Sequence, residues 1–300
     1  MEKISCPLSE KKTVLKNYIN VKDHSNTQEE FTIVSCETNN FLFTNPRPKE
    51  SDISKYYDFE DYISHTNKQS DFISKLYQIV RSYSIKIKYK LISKLINSKK
   101  ILDVGCGTGE FLGYMKKKGF DTYGIEVAKK ARELSRKNHK LLVKDSLSKL
   151  NENNFDVITM WHVLEHVYDL DGYMKKINYL LNDKGVLLIA VPNHKCFDQE
   201  YYGKYWAGWD VPLHLWHFDK ESMRKLSKKY GFEITSIHAL YFDSFYVSLL
   251  SSKYKYKYSK LVQAFFIGLY SNLIAKIKTG EYSSLIYVLK KKPLKRFKLF

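Results

Sequence analysis

The sequence predicts an α/β fold built on an open, mostly parallel sheet, and three observations carry that expectation. Ile101 to Val104 is a short apolar run of the kind found in a buried parallel strand, and Gly105, Gly107 and Gly109 follow it at alternate positions before a helical pattern. From Lys100 onward, short apolar runs alternate regularly with helical patterns, the signature of a sheet covered by helices. An acidic residue, Glu126, closes the second run 23 residues after Asp103, a spacing that places a carboxylate on the same rim as the glycine bend.

The bend sets the chemistry. Glycine permits positive φ and close approach of a ligand to the backbone, and the helix that begins near Thr108 leaves its first N–H groups unpaired and aimed into the bend. A dinucleotide-binding turn needs a small residue where this chain has Glu110, so the spacing departs from that pattern. Asp103-x-Gly105-x-Gly107-x-Gly109 instead resembles the first motif of the class I S-adenosylmethionine-dependent methyltransferases. The resemblance implies a Rossmann-like, seven-stranded sheet with a small N-terminal β module and a helical insertion before the last strand. It also implies S-adenosylmethionine as cofactor, held by Asp103, Gly105, Gly107, Gly109, Glu126, Asp145, Ser146 and Trp161. A carboxylate suits the place of Glu126 because it accepts hydrogen bonds from two vicinal ribose hydroxyls.

The remaining elements follow in order. Thr122 to Glu126, Leu141 to Lys144, Phe155 to Met160 and Gly185 to Val191 are expected as strands two to five, with Asp145-Ser146 at the end of the third. Asp219 caps a helix closed by Gly231, Phe232 to Ala239 is the sixth strand, and Ser283 to Leu289 is expected as the seventh, inserted antiparallel. Before the first strand, Phe72, Leu76, Val80, Tyr83, Ile87, Leu91 and Leu95 recur at helical spacing and predict an amphipathic helix over residues 71–97, expected to cover the cofactor cleft. Two domains are expected, residues 1–66 and 67–300. The second contains an aromatic and histidine-rich acceptor loop at 194–218 and a helical cap at 244–280 that holds no acidic residue.

The first sixty residues carry two short β-like runs, Phe31 to Val34 and Phe41 to Thr44, ended by Pro46 and Pro48. Cys6 and Cys36 stand where a zinc ribbon attached to some methyltransferases has paired cysteines, but Ser9 and Asn39 occupy the second positions. The resemblance therefore implies a degenerate ribbon without zinc. Cys106 and Cys196 complete the four cysteines, which show no disulfide framework.

The formal charge of +18 comes from 50 basic residues of which six are Arg, alongside many Asn, Ile and Tyr. Arg is the usual phosphate and base clamp, so the skew reads as the codon bias of an AT-rich genome, and no nucleic-acid partner is expected. The N-terminus has no basic region followed by an apolar run, and a cytoplasmic location is expected.

Methyl transfer from a sulfonium asks the protein to place an acceptor and take its proton. His162, His214 and His217 are the candidate bases, with Trp161, Tyr205, Trp206 and Trp209 either walling an apolar acceptor or serving as core. His162-x-x-Glu165-His166 matches a zinc-protease signature, but it falls at the end of the fourth strand, where methyltransferases carry similar sequence. No metal is expected; His162, Glu165 and His166, with His214 or His217 from the next loop, are the alternative that would hold one. The segment from Trp206 to Phe218 resembles a bacterial branch of the family related to ubiquinone-biosynthesis and sugar methyltransferases, with Leu213 in place of an arginine. The implied activity is methylation of a small molecule, O-methylation being favoured, with C-methylation of a sugar nucleotide or a non-catalytic binding role as alternatives. The apolar stripe Val262, Phe266, Leu269, Leu273 and Ile277, with nearby lysines and the basic tail at 290–298, also allows contact with a membrane surface.

Overall fold

The computed structural model describes residues 1–9, 13–57 and 72–292. In chain order, a small antiparallel unit, β1 (Leu15–Lys22), β2 (Glu30–Cys36) and β3 (Leu42–Thr44), leads to the helix α1 (Phe72–Leu95). There follow β4 (Lys100–Val104), α2 (Glu110–Lys117), β5 (Asp121–Ile125), α3 (Lys129–His139), β6 (Leu142–Lys144), β7 (Phe155–Trp161), α4 (Leu170–Leu180) and β8 (Leu181–Pro192). The chain then forms α5 (Phe197–Tyr202), β9 (Trp216–His217), α6 (Lys220–Lys229), β10 (Phe232–Ala239), α7 (Asp243–Tyr256), α8 (Leu261–Ile274) and β11 (Ser284–Lys291).

Seven strands form the main sheet in the order β10-β11-β8-β7-β4-β5-β6. The five from β8 to β6 are parallel, while β11 lies antiparallel between β8 and β10, so the expected fold class and the late insertion of the last strand are both observed. Alternation at a period of two explains why this sheet needs two covers. Leu102, Val104, Ile158, Met160, Leu187 and Ile189 pack in one core cluster, and Ile101, Val157, Val186, Leu188 and Ala190 in another. Each such side chain removed from water contributes about 1.5–3 kcal/mol.

The helix α1 is present where periodicity placed it, but its buried face is turned. Ile92 is fully buried and Ile85, Tyr89, Leu91 and Leu95 pack against the second core, whereas Tyr83 is exposed and meets Phe242 edge-on at 5.9 Å. Arg81 pairs at 3.0 Å with Glu110, the first residue of α2, which ties α1 to the element after the glycine bend. The side chains of Phe72 and Leu76 lie outside the described residues.

The strand β1 has no counterpart in the expected runs, because its outward positions are polar and its burial is one-sided. The small sheet has the order β1-β2-β3-β9, with Leu42 opposite His217 and Phe43 opposite Trp216. Its fourth strand thus comes from the loop after β8. Arg47 joins the parts further, pairing with Glu2 at 2.7 Å and stacking on Tyr168 and Trp216. Cys6 and Cys36 are buried thiols. Cys6 Sγ accepts from Asn39 Nδ2 at 3.4 Å, and Cys36 Sγ lies 3.2 Å from Thr13 Oγ1, so hydrogen bonds stand where a ribbon would have its ligands. The expected domain boundary at residue 66 and the tail from 293 onward lie outside the described residues.

Candidate active site

The glycine bend follows β4, and its three glycines do different work. All three have positive φ, but a Cβ at Gly105 would stand 2.4 Å from Val163 Cγ2, and one at Gly109 2.6 Å from Leu141 Cδ1. At Gly107 no protein atom lies within 4 Å of that position. Gly105 and Gly109 are thus small because the protein packs against them, whereas Gly107 borders open space and its positive φ alone favours glycine. Glu126, at the end of β5, accepts from Gly107 N–H at 2.8 Å with one carboxylate oxygen and from Ala128 N–H at 2.9 Å with the other. Each oxygen keeps a lone-pair direction for a hydroxyl donor.

Asp103, at the core of β4, accepts from Thr159 Oγ1 at 2.6 Å. Burial pushes its carboxyl above the usual range, while the α1 residue Lys88, whose own charge burial disfavours, draws it back. Lys88 Nζ also lies 4.0 Å over the Trp161 ring, which stands edge-on to Phe111 at 5.5 Å. Asp145 gives one oxygen to Lys149 at 2.8 Å and keeps the other, Oδ1, buried without a hydrogen-bond partner. Ser146 next to it lies 2.9 Å from Ser148. An orphaned acceptor at the end of β6 fits an exocyclic amine, and a paired carboxylate at the end of β5 fits ribose hydroxyls. The residues present therefore fit an adenosine group.

At the same edge of the sheet, beside the glycine bend, the acceptor rim is built around Glu165, fully buried in the single turn after β7. His162 adopts a left-handed backbone with φ of 55° and is clamped between two carboxylates, its Nδ1 3.2 Å from Glu165 Oε1 and its Nε2 2.9 Å from Asp243 Oδ2. Burial works against its charge, but the two hydrogen bonds prevail and raise the imidazole to about 10. It is therefore an imidazolium at neutral pH, and both ring nitrogens are donors.

His166 and His214 are the reverse case. Each donates its Nδ1–H to a backbone carbonyl, His166 to Leu213 at 3.0 Å and His214 to Gly208 at 2.9 Å, which leaves the Nε2 lone pair of both rings available. Burial holds both below the usual histidine range, His166 at about 4. Their rings meet edge-on at 4.7 Å, and one ligand atom each from Glu165, His166 and His214 lies within 4.8 Å of the others. Glu165 Oε2 is buried with no hydrogen-bond partner. Asp210, also left-handed at φ 36°, stands beside this group with Oδ2 3.7 Å from His214 Nε2, and burial raises it to about 6.

His217 faces elsewhere. Its Nε2 is 3.1 Å from Thr44 Oγ1 inside the small sheet, and burial keeps the ring uncharged. Of the two roles open to Trp206 and Trp209, the structure shows the core one: both are buried and packed with Phe31, Tyr56 and Tyr202 under the small sheet. Trp206 Nε1 donates to Asp198 at 2.8 Å, and Trp209 Nε1 to the Gly203 carbonyl at 3.0 Å. Two site residues carry no motif in the sequence, Lys88 and Asp243, whereas Asp210 is the acidic residue of the segment from Trp206 to Phe218. The sole sequence signal for Asp243 is its place at the start of an otherwise acid-free insertion.

A parallel sheet with an antiparallel seventh strand, a glycine bend after the first sheet strand and a carboxylate closing the second are the architecture of the class I methyltransferase fold. The sequence pattern of the methyltransferase-domain family matches residues 77–237, and the chain belongs to that family. It is 30% identical over 122 residues to a ubiquinone biosynthesis O-methyltransferase of Pelagibacter ubique, covering 38% of this chain and 49% of the relative. It is 33% identical over 111 residues to the protein of that name in Histophilus somni, covering 33% and 47%. The chain thus matches about half the length of these curated relatives.

Two solved structures share the fold. One is magnesium protoporphyrin IX methyltransferase from Synechocystis with bound S-adenosylhomocysteine, at TM-score 0.51 and 13% identity over 77% of this chain and 94% of the other. The second is a cyclopropane synthase from Mycobacterium tuberculosis, at TM-score 0.51 and 16% identity over 82% and 100%.

Proposed function

We propose that this protein transfers a methyl group from S-adenosylmethionine to a hydroxyl of a small-molecule acceptor, with His214 as the base. The observation that carries the reading is a neutral, tautomer-fixed imidazole beside buried Glu165, in the turn after β7. When bound, the cofactor supplies an electrophilic methyl on a sulfonium that leaves as a neutral thioether. Gly107 gives it room, Glu126 holds its ribose hydroxyls and Asp145 its adenine amine. His214 takes the acceptor proton on Nε2, and Glu165 and Asp210 stabilise the imidazolium that results. His162, already charged, positions Glu165. The O-methyltransferase names of the curated relatives support oxygen as the acceptor atom.

The test is incubation with methyl-labelled cofactor and fractionated cell extract. Label should appear in a small molecule as an ether or ester methyl, and His214→Ala should lower turnover at least about a hundredfold with cofactor affinity unchanged. Absence of label transfer, or label on carbon, would overturn the O-methylation reading.

The partnerless Glu165 Oε2, together with two imidazole lone pairs close to it, supports a second reading. Glu165, His166 and His214 form a three-ligand set with both rings oriented by carbonyls, as metal-binding histidines are. An ion there would polarise an acceptor hydroxyl and ease its ionisation. Full turnover in excess chelator would remove this reading and leave His214 as a metal-free base.

A further inference from the structure

We infer that the helical insertion seats the protein on an anionic lipid surface through the outer face of α8. The helix is built inside out. Its buried positions are Ala264, Gly268 and Ser271, while Val262, Phe265, Phe266, Leu269 and Leu273 stand about half exposed or more, and Ile277 continues the outward row past the helix end. The small residues explain how the hairpin closes: a Cβ at Gly268 would lie 3.0 Å from the Phe245 backbone, and α7 offers Ser244, Ser248, Ser251 and Ser252 in return. A helix with one face on the protein and the other in water places its large apolar residues inward. Here they form a contiguous apolar face, which marks a surface with a partner.

Charge selects the occupant. Residues 244–280 contain no acidic residue and six lysines, four at 253, 255, 257 and 260 before α8 and two at 276 and 278 after it. A second copy docked face to face would bring these like-charged rims together, on chains that each carry a formal +18. An anionic bilayer interface accepts both features at once, with the apolar row among the acyl chains and the lysines at the headgroups. The 14-residue helix is about 21 Å long, too short to cross, and no helix among the described residues is long and apolar enough to span a membrane. It therefore lies in the plane. Asp243, the first residue of α7, holds His162 at the acceptor rim, so the lipid-facing hairpin is joined directly to the site.

The experiment is co-sedimentation of the full chain with vesicles of phosphatidylcholine containing phosphatidylglycerol, and with vesicles of phosphatidylcholine alone, alongside light scattering without lipid. The protein should pellet with the anionic vesicles at low salt and be released by high salt. Phe266→Glu with Leu269→Glu should cut the bound fraction at least about tenfold, and Lys276→Glu with Lys278→Glu should weaken binding to a smaller extent. Both pairs are exposed, and an unchanged melting curve certifies their folds. No pelleting at low salt, undiminished binding by the first variant, or a lipid-free dimer that this variant dissociates would each overturn the inference, the last by showing a second copy on the face.

Discussion

On the cofactor side, the groups that matter are close in sequence and speak through the backbone: Glu126 reaches Gly107 across 19 positions and Ala128 across two. On the acceptor side they are distant and speak through side chains. His162 meets Asp243 across 81 positions, and His166 meets the Leu213 carbonyl across 47. The first half is a local device repeated wherever a glycine bend joins a strand to a helix. The second exists only once the loop after β8 and the insertion have docked.

The sharpest way to break this contrast is inside the glycine bend. Gly105→Val adds a Cβ 2.4 Å from Val163 at a positive φ, and should destabilise the fold by about 3 kcal/mol in a denaturant titration. Gly107→Val meets no protein atom, so stability should fall by only about 1 kcal/mol for the backbone strain while cofactor binding, read by calorimetry, is lost. Equal stability losses in the two variants would mean that Gly107 is structural as well.

Glu126→Gln should weaken cofactor binding by about 2 kcal/mol, because one charged acceptor becomes a donor facing N–H groups and hydroxyls. An unchanged affinity would remove the ribose assignment.

The acceptor side should show itself in pH dependence. The folded-state pKa of His162, about 10, lies above its ordinary value of 6.5, so the stability it contributes is full below about 6.5 and is lost as pH rises toward 10. Thermal melts across that window should fall in the wild type and flatten in His162→Gln. A variant with the wild-type slope would show that the clamp does not set the charge. The smallest effect is expected at the aromatic loop: Trp206→Phe removes one hydrogen bond to Asp198 and should cost about 1–2 kcal/mol of stability with cofactor affinity intact.

The sequence by itself determined the seven strands of the main sheet, their boundaries to within a few residues, and the glycine and Glu126 rim. These follow from local pattern: apolar alternation, positive-φ glycines and capping residues such as Asp219, whose side chain accepts from Ser222 N–H as a cap should. Tertiary structure alone decided which histidine is charged. His162 and His214 are the same residue type, and what separates them is Asp243 on one and the Gly208 carbonyl on the other. It also turned Trp206 and Trp209 into core, because the small sheet recruits Trp216–His217 and draws the loop beneath it. Protonation and burial depend on which groups arrive from elsewhere in the chain, and no local spacing records that.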